Sequence, residues 1–142
     1  MGRHRRTAGL HSAAIVTALA LAVPAATGMA VTRASAAPAP MVGKWTRKVT
    51  SADIQRTGGT GISAGSVWTL TIKKDGGASI SGSAGAFEGY LRSIGAGQFR
   101  TNLGIGIAVY AWRVSGRLLM LTKVSDQTSD REAVFEGVWK RK

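Results

Sequence analysis

The chain has 142 residues, with 19 Lys and Arg against seven Asp and Glu, a formal net charge of +12, two His and no Cys. Both histidines, His4 and His11, fall in a basic and apolar N-terminal stretch. Without that stretch the chain holds neither imidazole nor thiol, which excludes most nucleophilic and acid–base chemistry and all His/Cys metal sites.

Arg3-His4-Arg5-Arg6 opens the chain, an apolar run spans Ala13 to Val23, and Ala34-Ser35-Ala36 follows. A charged n-region, an apolar h-region and an A-x-A site together predict a secretory signal over residues 1–36 and a mature start at Ala37. The apolar run stops at Val23-Pro24, short of the roughly 20 residues a spanning helix needs, so stable membrane insertion is not expected. The expected location is extracellular. Removing Arg3, Arg5, Arg6 and Arg33 leaves 15 bases against the same seven acids, a net +8. Basic clusters stand at Lys44/Arg47/Lys48, Lys73-Lys74 and Lys140-Arg141-Lys142. Outside the membrane such a surface suits an acidic extracellular protein or polymer, or anionic lipid heads, and it also serves solubility alone. An exported protein meets little nucleic acid, and none is expected as a partner.

Ala37-Pro38-Ala39-Pro40 predicts an extended, proline-spaced lead-in over 37–41. The remainder, 42–142, is the size of one domain. Val42 to Val49 reads as a first strand, and a glycine-rich loop covers Thr57 to Gly65, with at most one helical turn over Ser51 to Arg56. In Val67 to Lys73, Trp68, Leu70 and Ile72 alternate with Thr69, Thr71 and Lys73, the period of a strand. Asp75-Gly76 is a hairpin signal leading to a strand near Ala78 to Ser81. Phe87 to Arg92, Gln98 to Leu103, Ile107 to Val114 and Arg117 to Val124 continue the series. A polar loop from Ser125 to Arg131 then precedes a last strand, Ala133 to Arg141. About eight short strands at this spacing predict an all-β fold of the meander, sandwich or barrel type.

Gly61-Ile62-Ser63-Ala64-Gly65 matches the G-x-S-x-G nucleophile elbow, but no His survives processing and no helix follows the Ser. Asp126, Asp130, Glu132 and Glu136 cluster in sequence, and two acids at the right separation run glycoside hydrolysis, yet Lys123, Arg131 and Lys140 beside them read as ion pairs in a solvated loop. The same loop lacks the D-x-D-x-D-G order of a calcium site. No catalytic residue, metal or cofactor is expected.

What remains is a set of aromatics on alternating strands. Most would fill a core, while the many small residues between Gly58 and Gly106 favour some unfilled interior. Trp68, Phe87, Phe99, Tyr110 and Trp112 are the candidate interior ligand-binding residues.

Val42-Gly43-Lys44-Trp45 and the terminal pattern Tyr110-x-Trp112, Gly116-x-Leu118, Asp126, Arg131 and Phe135-x-Gly137-x-Trp139-x-Arg141 resemble the lipocalin-like barrels of the calycin superfamily. Gly43-Lys44-Trp45 is similar to the G-x-W signature of their first strand. The resemblance implies an eight-stranded antiparallel up-and-down barrel, with Gly43, Trp45, Trp139 and Arg141 as structural residues of its closed end. If first and last strands pair, Arg141 lands near Trp45 and its guanidinium stacks on the indole, while Arg131 pairs with Asp126 or Asp130. Related domains often carry a Cys where Thr128 stands, so the family disulfide is absent and a looser loop is implied. The avidin-like Gly43-Lys44-Trp45-Thr46 lacks the further Trp pattern of biotin binding.

Two functions stay open. One is a secreted, non-enzymatic barrel binding a small apolar or anionic molecule in its interior, with basic residues near the rim. The other is a secreted interaction protein, such as a protease inhibitor, acting through its N-terminal segment. An internal cavity of a few hundred Å³ would separate them.

Overall fold

The computed structural model describes residues 36–142, so the expected signal lies almost wholly outside the described residues. Where the sequence alternates apolar and polar residues the backbone is extended, because successive side chains of a strand point to opposite faces. Eight strands result: β1 (Gly43–Lys48), β2 (Val67–Ile72), β3 (Gly77–Gly82), β4 (Gly85–Gly95), β5 (Gln98–Thr101), β6 (Ala108–Ser115), β7 (Leu118–Ser125) and β8 (Gly137–Arg141). Each pairs antiparallel with its sequence neighbour, and β8 returns to β1 through Trp45↔Arg141 and Thr46↔Lys140. The protein is a closed up-and-down barrel, a topology that leaves no free sheet edge.

Two helices depart from the expected pattern. The single turn expected at Ser51 to Arg56 is helix α1 (Ser51–Thr57). Thr50 and Asp53 form a reciprocal capping box at its start, and Gly58 ends it in the left-handed region at φ 71°. Two satisfied ends make so short a helix viable. The expected loop Ser125 to Arg131 and the first part of the last strand are replaced by helix α2 (Ser129–Phe135) and a shorter β8. Arg131, Ala133, Val134 and Phe135 are all buried, which no half-buried strand allows for three consecutive residues. The apparent alternation of Val134, Phe135 and Glu136 belonged to a helix end. The lead-in is not simply extended either. Ala39–Met41 form one 3-10 turn, Ala37 and Met41 are buried, and the Trp45 indole donates to the Met41 carbonyl at 2.8 Å.

The barrel has two unlike ends. At one, Met41, Trp45 and the Arg141 side chain plug the interior. At the other, α1 and α2 frame a mouth, together with the β3–β4 hairpin and the 102–107 loop. Between the ends the interior is packed. Phe99 stacks on Tyr110 with centroids 5.9 Å apart, Tyr110 meets Phe135 at 5.3 Å, and Phe135 meets Trp139 edge-on at 6.3 Å. Leu70, Ile72, Leu91, Leu119 and Leu121 close around this column. The glycine-rich segment therefore does not hollow the barrel; its glycines serve turns and close approaches.

Candidate functional site

The mouth is built by two buried arginines. Arg47, counted from the sequence in a basic surface cluster, points inward from β1 and is 7% exposed. Its guanidinium donates to the carbonyls of Ala133 and Val134 at 2.7 and 2.6 Å, and to Asp53 at 2.7 Å. One cation thus satisfies C-terminal carbonyls of α2 and the N-terminal acid of α1, holding both helices on the barrel. Burial pushes the Asp53 carboxyl up, but hydrogen bonds from Thr50 and the pairing with Arg47 outweigh it and hold it below the usual range.

Arg131 does the same for the 102–107 loop. It grips Asp126 in a two-point pair at 2.6 and 2.8 Å and donates to the carbonyls of Leu103, Ile105 and Gly106 at 3.3, 2.8 and 3.0 Å. Asp126 also accepts from the Tyr110 hydroxyl and the Thr128 N–H. Burial works to raise the Asp126 carboxyl; the bonds from Arg131, Tyr110 and Thr128 prevail and keep it lowered. Burial and the same carboxylate push the Tyr110 phenol far up, so it stays a donor. The loop that lacks a disulfide is pinned by this network instead.

Within this frame lies an open pocket of about 250 Å³. Ile62, Trp68, Ile80, Phe87, Leu103 and Phe135 form most of its apolar wall, and Ile105, Val134, Asp130 and Arg131 complete it. Trp68 keeps its place because the indole lies flat on Gly82: a Cβ there would collide with the ring, so no larger residue fits. Phe87 is 41% exposed and Ile105 80% exposed, so both keep apolar surface open to solvent at the mouth.

The five expected interior residues are not gathered in one cavity. Trp68 and Phe87 line the mouth pocket. Phe99 and Tyr110 are fully buried in the aromatic column, because the neighbouring strands bring large side chains to the same level. Trp112 packs half-buried against the core, and its buried indole N–H has no acceptor among the described residues. Of the closed-end residues, Trp45 and Trp139 are fully buried, and Arg141 lies over Trp45. Gly43 sits at φ 139°, and the Arg141 guanidinium occupies the space its Cβ would need, at 2.8 Å. Sequence reading missed Ile62, Ile80, Ile105 and Asp130. Ile105 carried a signal, an isolated isoleucine between Gly104 and Gly106 in a turn-rich segment.

The unpartnered bases are not at the pocket. Arg131 is committed to Asp126 and the loop carbonyls, and Arg56 and Lys123 pair with Glu136 and Glu132 at 2.8 and 2.9 Å. The other acidic or basic side chain in the pocket wall is Asp130, which accepts from the Gly61 N–H at 3.0 Å. The Gly61–Gly65 segment lies after α1 and before β2, the reverse of the strand–turn–helix order an elbow requires.

Fold and site together define an eight-stranded antiparallel β-barrel with a plugged end and a helix-framed apolar mouth. No protein family and no curated protein matches the chain. Among solved structures, a lipoprotein YedD from Klebsiella pneumoniae subsp. pneumoniae MGH 78578 is similar over 76% of each chain, with 16% identity and a TM-score of 0.47. No described helix is long and apolar enough to cross a membrane.

Proposed function

We propose that this chain is an exported, non-enzymatic barrel of the lipocalin-like type that holds one small, largely apolar molecule in its mouth. The observation that carries the reading is the pocket of about 250 Å³, whose wall is apolar and rigidly framed while Phe87 and Ile105 stand open to solvent. An apolar cavity of about 150 Å³ is enough for benzene, so this one suits an aromatic ring with a short substituent. Asp130 in the wall favours a neutral molecule or one bearing a hydrogen-bond donor over the anionic ligand also considered. Export rests on the order of n-region, h-region and A-x-A site, and N-terminal sequencing of protein from the culture medium tests it.

The alternative, an inhibitor acting through residues 37–41, finds less support. Those residues dock on the barrel: Ala37 and Met41 are buried, the Pro40 carbonyl accepts from Arg141 and the Met41 carbonyl from the Trp45 indole. Native mass spectrometry of the exported protein, followed by titration with a naphthalene-sized fluorophore, tests ligand binding. Phe87→Ala should weaken the fluorophore at least about tenfold, because it removes roughly 1.5 to 3 kcal/mol of burial on binding. The melting temperature should hardly move, since Phe87 is not part of the core. An unchanged affinity in that variant, or no uptake of any apolar probe, overturns the reading.

A further inference from the structure

Charge is sorted along the barrel axis. The acids Asp53, Asp126, Asp130, Glu132 and Glu136 all stand at the mouth, where the ion pairs of the described residues also lie. At the plugged end the strand termini and hairpins carry Lys44, Lys73, Lys74, Arg117, Lys140 and Lys142, besides the stacked Arg141. One acid shares that end, the exposed Asp75, whose carboxylate accepts the Gly77 N–H of its own hairpin at 2.8 Å, and the seventh acid, Glu88, stands midway along β4. None of those bases has an acidic partner among the described residues.

Apolar side chains stand beside this charge. Ile94, next to the β4–β5 turn, is 45% exposed, and Leu118, at the β6–β7 turn, is 44% exposed. Met120 and Val138, paired across β7 and β8, continue the apolar strip from Leu118 up the outer wall.

We propose that the plugged end is a docking surface for an anionic phospholipid membrane, which leaves the mouth pointing into solvent. Unpaired bases at hairpin tips complement a negative headgroup layer, and each Lys or Arg close to such a surface adds to the attraction. The isoleucine and leucine at those tips suit the boundary between headgroups and acyl chains, which a soluble polyanion does not offer. Cation and apolar group together at one end therefore favour lipid over polymer. The pairing of acids at the other end orients the molecule, because a negative surface attracts one pole alone.

Co-sedimentation of the exported protein with vesicles tests this. Vesicles about one-third phosphatidylglycerol in phosphatidylcholine should bind it, pure phosphatidylcholine should not, and about 0.5 M salt should release most of it. Lys73→Glu and Lys48→Glu change net charge equally but at opposite ends. The first should lower partitioning at least about fivefold and the second less than about twofold. Ile94→Ser with Leu118→Ser should weaken binding further, while Phe87→Ala at the mouth should leave it unchanged. Melting curves confirm that the variants fold. Equal losses from Lys73→Glu and Lys48→Glu would mean that net charge alone is felt, and the proposal fails. It fails equally if phosphatidylcholine alone binds, if no vesicle binds while soluble polyphosphate does, or if the Ile94→Ser and Leu118→Ser pair has no effect.

Discussion

The guanidinium of Arg141 lies over the indole of Trp45, 4.3 Å from the ring centroid, where the last strand pairs with the first. The contact closes the barrel in two senses. It joins the terminal strands through side chains as well as backbone, and it covers an indole that would otherwise face the open end of the interior. The same guanidinium donates to the Val42 and Pro40 carbonyls at 3.2 and 3.0 Å, so it also holds the lead-in. Trp45→Ala should cost about 3–5 kcal/mol as a core truncation. Arg141→Ala should cost about 0.5–2 kcal/mol, the range of a partly desolvated cation–π contact. Urea unfolding of both singles and the double should show coupling, because each mutation removes the other's partner. Additive losses would mean the stack contributes nothing.

Arg131→Met should destabilise by about 3–5 kcal/mol, because it leaves the buried Asp126 carboxylate without its cation. Arg131→Met combined with Asp126→Asn should recover part of the loss, since the charge left behind is then removed. Chemical denaturation of the three variants checks this. A double variant no better than Arg131→Met would show that the loop carbonyls, rather than the carboxylate, dominate the cost.

Acid should unfold the protein through Asp53 and Asp126. Both carboxyls are held below their ordinary range in the fold, so the unfolded chain takes up their protons first as pH falls. Stability should be level above about pH 5, begin to fall near the ordinary carboxylate value of about 4, and keep falling through the lower folded-state values. Asp126→Asn should flatten that acid limb while lowering the neutral plateau. Urea midpoints measured across pH give the test, and an acid limb as steep in Asp126→Asn as in the parent would remove Asp126 from the account.

Trp112→Phe should be neutral or slightly stabilising. The indole N–H is buried without an acceptor among the described residues, a defect worth about 1–3 kcal/mol, and Phe keeps most of the packing. The smaller ring gives back some of that gain. A loss above about 2 kcal/mol, as a core cavity would produce, would show that the indole volume matters more than its polar atom.

Ser63→Ala should leave stability within about 0.5 kcal/mol, the usual range for an exposed site. Any esterase turnover of the purified protein should be background and the same in both forms. A selective loss of turnover in the variant would reopen catalysis.

The all-β fold and the strand count were legible in the sequence because a strand's period of two is a local property. Trp68, Leu70 and Ile72 alternate with polar residues whatever they pair with, and Asp75-Gly76 marks its turn by backbone preference alone. The meeting of Trp45 and Arg141 was within reach only through the resemblance to lipocalin-like barrels, which implies that the first and last strands pair. What tertiary structure decided is everything that depends on which end of a strand a residue occupies. Phe87 and Phe99 look alike in sequence, yet one stands at the mouth and the other inside a packed column. Arg47 reads as surface charge beside Lys44 and Lys48, but its place on the inner face made it the clamp of two helices. Helix α2 was hidden because its buried face, Ala133 to Phe135, is short enough to pass for a strand until the barrel mouth gives it something to cover. The gathering of five of the acids at the mouth has the same origin. Strand direction alternates along the chain, so residues far apart in sequence gather at one end, and only the closed barrel shows which end that is.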